Sequence, residues 1–336
     1  MQALADAWAG NRTQLRFDLI ILSSYAHASR TESPDSGANP IVPKYFLGVD
    51  GGGTNCRIRL ADANLRTLAE ARGGRSNLQL EGGDPAYFSI QEGTRQVFAM
   101  AGLDFAATTQ TQACFGMAGA RLPSAREAFA LRDWPFEKVT VYDDIDIARA
   151  GAHEGEDGAV IIVGTGSAGM ALVDGQRFQV GGWGFHIGDQ MSGAILGREL
   201  VRYAVEADDG LVPTSPLTKA VIKQLGGDVN TVMAWSFDKR QPADYGALMP
   251  LFMDYFDKGD PVALDLMEIE LGFIDRYVSY FKSCGANRLA VVGGFGQRLL
   301  PLLEIRYGDY VCMPRAEPLH GAVILACQNA ATADIS

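Results

Sequence analysis

The sequence predicts a duplicated α/β fold in which two similar domains face each other across a cleft, and three observations carry that expectation. The chain has 336 residues, too many for one ordinary core and enough for two domains of roughly 150 residues each. A strand-like run that ends in small, glycine-rich residues occurs at Tyr45–Gly53 and again at Ala159–Ser167, and each is followed by a second apolar run at hairpin spacing. Two such units, about a hundred residues apart, are the mark of an internal repeat.

Tyr45–Val49 is an apolar run stopped by Asp50-Gly51-Gly52-Gly53, a strand entering a tight turn. Arg57–Ala61 alternates polar and apolar residues as a half-buried return strand does, and Leu65–Ala71 supplies a third strand. A helix is expected over Pro85–Met100 with Asp84 as its N-cap. Val139–Tyr142 reads as a strand leading into Asp143, Asp144 and Asp146, which open a helix running to Ala152. The second unit starts with Ala159–Val163, turns at Gly164-Thr165-Gly166-Ser167 and resumes at Met170–Val173.

Helices are then expected over Met191–Ala207, Leu217–Leu225, Tyr245–Asp257 and Pro261–Cys284, the last with Asp260 as N-cap and Pro261 in the first helical position. Leu289–Val292 is a further buried strand closed by Gly293-Gly294, and Leu319–Ala331 a final helix. The resulting division is a flexible extension over 1–43, one domain over 44–142 and another over 143–317, with a helix at 318–332 returning to the first.

Composition narrows the function. With 29 basic and 40 acidic residues the formal charge is -11, which repels a phosphate backbone or an anionic membrane and makes nucleic acid an unexpected partner. Five scattered cysteines without a CxxC pair fit neither a disulfide framework nor a zinc site, so reduced thiols in a cytoplasmic protein are expected. No run approaches the roughly 20 apolar residues of a membrane helix. Arg12 and Arg16 ahead of Leu19–Leu22, with Ala26-His27-Ala28 after it, have parts of a signal peptide. The apolar patch is short, however, and Asp6 and Asp18 are wrong for one, so a flexible leader is the expectation.

Chemistry concentrates at the two turns. Gly51, Gly52 and Gly53 let a phosphate approach the backbone and collect N–H bonds, and Thr54 adds a hydroxyl. A plain hairpin turn is the simpler reading of the glycines alone. Asp50 shifts the balance, because a carboxylate beside a phosphate cradle makes sense chiefly with Mg²⁺ between them. Gly164, Thr165, Gly166 and Ser167 repeat the arrangement, and facing cradles can clamp a polyphosphate from both sides. Neither turn matches the G-x-x-x-x-G-K-[ST] or G-x-G-x-x-G patterns, which argues for a hairpin-based nucleotide fold. Of the three acids at 143–146, capping explains two, and a carboxylate kept ionised by the helix dipole suits a general base.

Three stretches together, G-V-D-G-G-G-T at 48–54, G-T-G-S at 164–167 and G-G-W-G-F-H-I-G-D-Q at 181–190, resemble the BadF/BadG ATPase-type family of the actin/hexokinase-like superfamily. Within it the likeness is to bacterial glucosamine and N-acetylglucosamine kinases. It runs from Tyr45 to Cys327 and includes Asp209-Gly210-Leu211-Val212-Pro213 and Val232-Met233-Ala234-Trp235-Ser236. The resemblance implies a two-domain actin-like ATPase of ribonuclease H-like topology, which uses ATP and Mg²⁺ to phosphorylate an amino sugar and works as a homodimer.

Position by position, the resemblance makes Asp144 the base for the sugar 6-hydroxyl and Asp50 the Mg²⁺-associated acid. It makes 51–54 and 164–167 the phosphate loops, and Gly293 and Gly294 the adenosine turn. Asn77, Gly119, Asp144 and Asp189 are the implied sugar ligands. From the residues alone, Asn77 reads as a turn residue and Asp189 equally as a helix cap. Gln190 and Met191 replace the family's frequent Glu-Gly, and Asp143 its Asn; the Asp189-Gln190 pair looks closer to glucosamine kinases than to the N-acetyl enzymes. Trp183 is read either as lining the sugar pocket or as core, and His153 and His186 are given no metal role.

Two rivals carry their own signatures. A dehydratase-activating ATPase of this family needs an iron–sulfur cluster held by cysteines, and no cysteine pair here is placed for one. A sugar-sensing DNA-binding regulator needs a helix-turn-helix and a basic face, and the chain offers neither.

Overall fold

The computed structural model describes residues 44–53 and 55–333, the side chains of 332 and 333 excepted. The expected leader over 1–43, its signal-peptide alternative and Thr54 lie outside the described residues. Two five-stranded mixed sheets form the frame. The first has the order β3-β2-β1-β4-β5, from β1 (Tyr45–Gly51), β2 (Cys56–Asp62), β3 (Thr67–Gly73), β4 (Thr111–Met117) and β5 (Lys138–Asp143). The second has the order β10-β9-β6-β7-β8, from β6 (Gly158–Val163), β7 (Ser167–Val173), β8 (Gln176–Gly181), β9 (Leu289–Val292) and β10 (Val311–Cys312).

The two sheets share one pattern of pairing. β1 pairs antiparallel with β2 and parallel with β4, as β6 does with β7 and β9. The duplication expected from the glycine-tipped hairpins therefore extends to whole sheets. The central strands β1, β4 and β6 are apolar and almost wholly buried, because sheet neighbours and helices cover both their faces.

Two helices join the halves. α3 (Asp144–His153) continues directly from β5, and all its residues from Ile145 onward are buried. Its Ile145 packs with Val160 and Met170 of the second sheet, while Ile147 and Ala150 pack with Phe46 and Cys114 of the first. α11 (Pro318–Ala333) lies along the first sheet through Ala322, Val323 and Ala326. The helices meet backbone to backbone at glycines. A Cβ on Gly321 would lie 2.0 Å from the Ile147 carbonyl oxygen and 2.4 Å from the Gly151 nitrogen, and one on Gly151 2.4 Å from the Glu317 oxygen. α1 (Asp84–Met100) and α2 (Pro123–Ala130) belong to the first half; α4 (Gly193–Asp208), α5 (Pro216–Gln224), α6 (Val229–Phe237), α7 (Pro242–Gly246), α8 (Met249–Asp257), α9 (Pro261–Ser283) and α10 (Gly294–Tyr307) belong to the second.

Several local expectations are corrected. Asp84 is the first residue of α1 rather than its cap; Gly83, at φ +85°, precedes it and no side chain caps the helix. The single helix expected over Tyr245–Asp257 is two, α7 and α8, separated at Ala247 and Leu248. α4 starts at Gly193 with Ser192 as its cap, so Asp189 is not that cap, and Asp189 and Met191 adopt left-handed backbone at φ +60° and +63°. Asp260 does cap α9, accepting from the Val262 and Ala263 N–H groups. No helix among the described residues is long and apolar enough to cross a membrane.

The glycine contact between α3 and α11 leaves no room for a methyl group, and backbone atoms cannot swing aside as a side chain can. Gly321→Ala is expected to destabilise the protein by about 1–3 kcal/mol, read as a lower urea midpoint; an unchanged midpoint would show that the helix pair yields.

Candidate active site

The junction of β5 and α3 sets the site. Asp143 is the N-cap of α3, accepting from the Asp144 N–H, and Asp146 reaches back to the Asp143 N–H to complete a capping box. Arg177 of β8 binds both Asp146 oxygens, at 2.7 and 3.0 Å, and the Gln179 amide donates to Asp143 at 3.1 Å. Those two acids are thus held by caps and cross-element bonds. Asp144 has no such partner: burial, the charge and hydrogen bond of Asp143 and the charge of Asp50 push its carboxyl up to about 7, with only the Ile145 N–H opposing. The expectation that the helix dipole keeps Asp144 ionised is corrected on that ground, since burial and two neighbouring acids outweigh a dipole.

Asp144 lies where two cavities meet. One, of about 370 Å³, is lined by Gly164, Thr165, Gly166 and Ser167 together with Gly119, Arg121 and Asp189. The other, of about 750 Å³, is lined by Asp50, Ile162, Gly293 and Glu317. Gly164 and Thr165 also line a third cavity of about 820 Å³ with Gly294, Met249, Met253 and Phe295. Asp50 likewise borders a fourth, of about 310 Å³, with Gly52, Arg57 and Arg72. These shared walls make a continuous path from the first hairpin tip, past Asp144, to the second tip and α10.

Not every expected residue faces that path. Gly51 ends β1 with its Cα against Met117, where a Cβ would lie 2.6 Å from the sulfur, so it serves packing and lines none of these cavities. Gly53 and Asn77 also line none of them. The Asn77 side-chain oxygen Oδ1 accepts from the Gln79 N–H and sits where a Cβ on Gly119 would fall, at 2.3 Å, so it shapes the turn beside the cavity. Ser167 donates its hydroxyl to the Gln190 carbonyl at 2.5 Å, which ties the Asp189 loop to the second hairpin. Gly293 stands at φ +95°, and a Cβ there would meet the Val163 oxygen at 2.4 Å, so only glycine fits between β6 and α10. Trp183 is neither core nor cavity wall: it is exposed, with the Arg121 guanidinium 3.6 Å from its ring centre.

Several residues escaped sequence reasoning. Arg121 follows the Gly119 turn and donates to the Gly181 carbonyl, bridging the first half to the second at the cavity mouth. Gln179 and Arg177 alternate along β8, a strand that was not expected. Arg57 pairs with Asp50 at 2.7 Å. Glu270 of α9 is buried with one carboxylate oxygen lacking a partner, and burial pushes its carboxyl up to about 7, opposed by the Met191 N–H that it accepts. It underlies the strained backbone that presents Asp189. Only the alternation along β2 and β8 left a trace in the sequence.

The donors present suit Mg²⁺ carried by a polyphosphate. No three His, Cys, Asp or Glu side chains cluster as a protein-only metal site among the described residues, whereas Asp50 offers one carboxylate beside the first tip. Mg²⁺ characteristically takes one or two carboxylates, with phosphates and water completing its shell.

This duplicated frame, with its path between hairpin tips, is that of an actin-like ATPase. The profile of the BadF/BadG/BcrA/BcrD ATPase family matches residues 47–326, and the chain belongs to that family. Glucosamine kinase GspK of Vibrio cholerae serotype O1 is 32% identical over 282 residues, covering 84% of this chain and 95% of that protein. N-acetyl-D-glucosamine kinase of Dictyostelium discoideum is 26% identical over 72% of this chain and 81% of its own. A provisionally assigned N-acetylglucosamine kinase structure from Chromobacterium violaceum superposes with a TM-score of 0.76 at 32% identity, over 86% of this chain and all of that one.

The folded Glu270 carboxyl keeps its proton to about 7, while the unfolded chain releases it in the ordinary glutamate range. Between those values the native state binds more protons, so this contribution to stability falls as pH rises through the window. Glu270→Gln is expected to raise the melting temperature at pH 8 and to change it little at pH 4.5; an equal change at both would assign Glu270 no buried titration.

Proposed function

We propose that the chain is an ATP-dependent amino-sugar kinase that converts glucosamine to glucosamine 6-phosphate, with Asp144 as general base. One observation carries this reading: Asp144 forms a wall of both cavities between the two hairpin tips. Triphosphate lying along the tips puts its γ-phosphorus next to a sugar held in the cavity of about 370 Å³. The apolar cavity of about 820 Å³ behind Gly164 and Gly294 suits the adenosine. We propose that Gly52, Thr54, Gly164, Thr165 and Gly166 hold the phosphates, with Gly51, Gly53 and Ser167 supporting the two loops, and that Gly293 and Gly294 admit the nucleoside.

On the sugar side, Gly119 and Asp189 line the cavity and Asn77 sets its turn. Even with Asp144 protonated, Asp143 and Asp189 outnumber the one lining cation, Arg121, so the cavity favours a protonated amine over a neutral acetamide. This supports glucosamine, as does the Vibrio cholerae relative. The Dictyostelium discoideum and Chromobacterium violaceum relatives support N-acetylglucosamine as the second reading.

In the transfer, the bond from the γ-phosphorus to the β,γ-bridging oxygen breaks as a bond to the sugar 6-oxygen forms. Asp144 takes the hydroxyl proton and ADP leaves. Mg²⁺ beside Asp50 would neutralise charge on the phosphates. We place the moving bodies at 44–142 with the helix 318–332, and at 143–317; their closure excludes water, which otherwise competes for the phosphoryl group.

Asp144→Asn is expected to lower turnover by roughly 10²–10⁴ while leaving ATP affinity nearly unchanged; turnover like that of the wild type would remove Asp144 from the role of base. In a coupled ADP-release assay over glucosamine, N-acetylglucosamine and glucose, glucosamine should give the highest kcat/KM. Preference for N-acetylglucosamine would favour the second reading, and ADP release that no sugar stimulates would overturn the kinase assignment.

A further inference from the structure

Asp50 and Arg57 lie directly opposite each other in the β1–β2 register. Both the Nε and one Nη of Arg57 donate to the same carboxylate oxygen, Oδ2, at 3.3 and 2.7 Å. The other Nη reaches Glu317, at 2.5 Å, immediately before α11. Glu317 also binds Arg59, which in turn pairs with Glu70 at 2.7 Å. Burial alone would raise the Glu317 carboxyl, but its bonds and charges from Arg57 and Arg59 prevail and hold it below the usual range. Arg57 is therefore shared between the acid at the first hairpin tip and an acid at the start of the helix that joins the halves.

We propose that Arg57 is a placeholder cation. It neutralises Asp50 while the site holds no nucleotide, and it gives up that carboxylate to the nucleotide-borne metal by withdrawing onto Glu317. The proposal rests on the reading of Asp50 as the metal-associated acid.

Three features support it. Asp50 shares its cavity with Asp144 and acts on it as a like charge, so an unpaired Asp50 would face repulsion and the empty site needs a counter-charge. The pair is easily broken, since the Arg57 and Asp50 side chains are 34% and 24% exposed. Arg57 also has somewhere to go, because Glu317 already accepts from it and keeps it paired after release. The exchange conserves charge pairing on both sides: a metal–carboxylate contact replaces a guanidinium–carboxylate one at Asp50, and the guanidinium keeps its second acid. A merely structural arginine would instead lock Asp50 in place, and its loss would weaken metal binding.

Calorimetric titration of the full-length protein with ADP, once with Mn²⁺ and once with a chelator, tests this without relying on turnover. Arg57→Gln removes the competitor and should tighten binding of ADP with Mn²⁺ by about two- to fivefold, the scale of a partly exposed ion pair, with a smaller change in the chelator arm. Arg57→Lys, which retains charge but grips one carboxylate less firmly, should shift the same way by less, and it carries the test if the glutamine variant does not fold. Unchanged or weaker binding with Mn²⁺ in both variants overturns the proposal. Asp50→Asn separates the two layers: it should abolish the advantage of the Mn²⁺ arm, and an advantage that survives would overturn the reading of Asp50 itself and the placeholder role with it.

Discussion

Everything in this molecule is arranged around one costly contact, the meeting of three acidic groups where β5 runs into α3. Asp143 ends β5 and caps α3, and Asp144 and Asp146 lie in the first turn of that helix, which is buried between two sheets. Two of them are stabilised by a capping box and by Arg177 and Gln179 of the opposite half. The middle one is left without a cation, and burial, with the charges of Asp143 and Asp50, raises its carboxyl to about 7. A buried carboxylate in such surroundings is costly to ionise.

The frame holds that contact open. α3 touches the second sheet through Ile145 and the first through Ile147, so Asp144 is fixed relative to both hairpin tips by a single short helix. Gly151 and Gly321 let α11 cross α3 with no side chain between them. On the far side, the strained backbone at Asp189 and Met191 is supported from below by Glu270 and fastened to the second hairpin by Ser167. Strain of this kind persists only where surrounding structure enforces it.

What was legible in the sequence was local. The hairpins, their glycine tips, the Asp260 cap and the duplication all depend on residues close together in the chain, where period and turn chemistry decide the outcome. β8 went unseen because it is a half-buried edge strand of mixed polarity, and the break between α7 and α8 because Ala247 and Leu248 continue a helical pattern. The ionisation of Asp144 is not legible for a physical reason: the dipole is a property of its own helix, while the burial that opposes it comes from tertiary packing and part of the opposing charge from Asp50, on a strand more than ninety positions earlier in the sequence. Arg57 and Arg121 were missed likewise, since an arginine's role is set by the acid or carbonyl that folding brings to it.

The central claim is that phosphoryl transfer takes place at Asp144, between the two tips. A crystal structure with Mg²⁺, a non-hydrolysable ATP analogue and glucosamine tests it most directly. The account predicts the sugar 6-hydroxyl within hydrogen-bond reach of Asp144, about 2.6–3.2 Å, and the γ-phosphate between Gly52 and Gly164. A sugar bound elsewhere, or phosphates away from either tip, would contradict it.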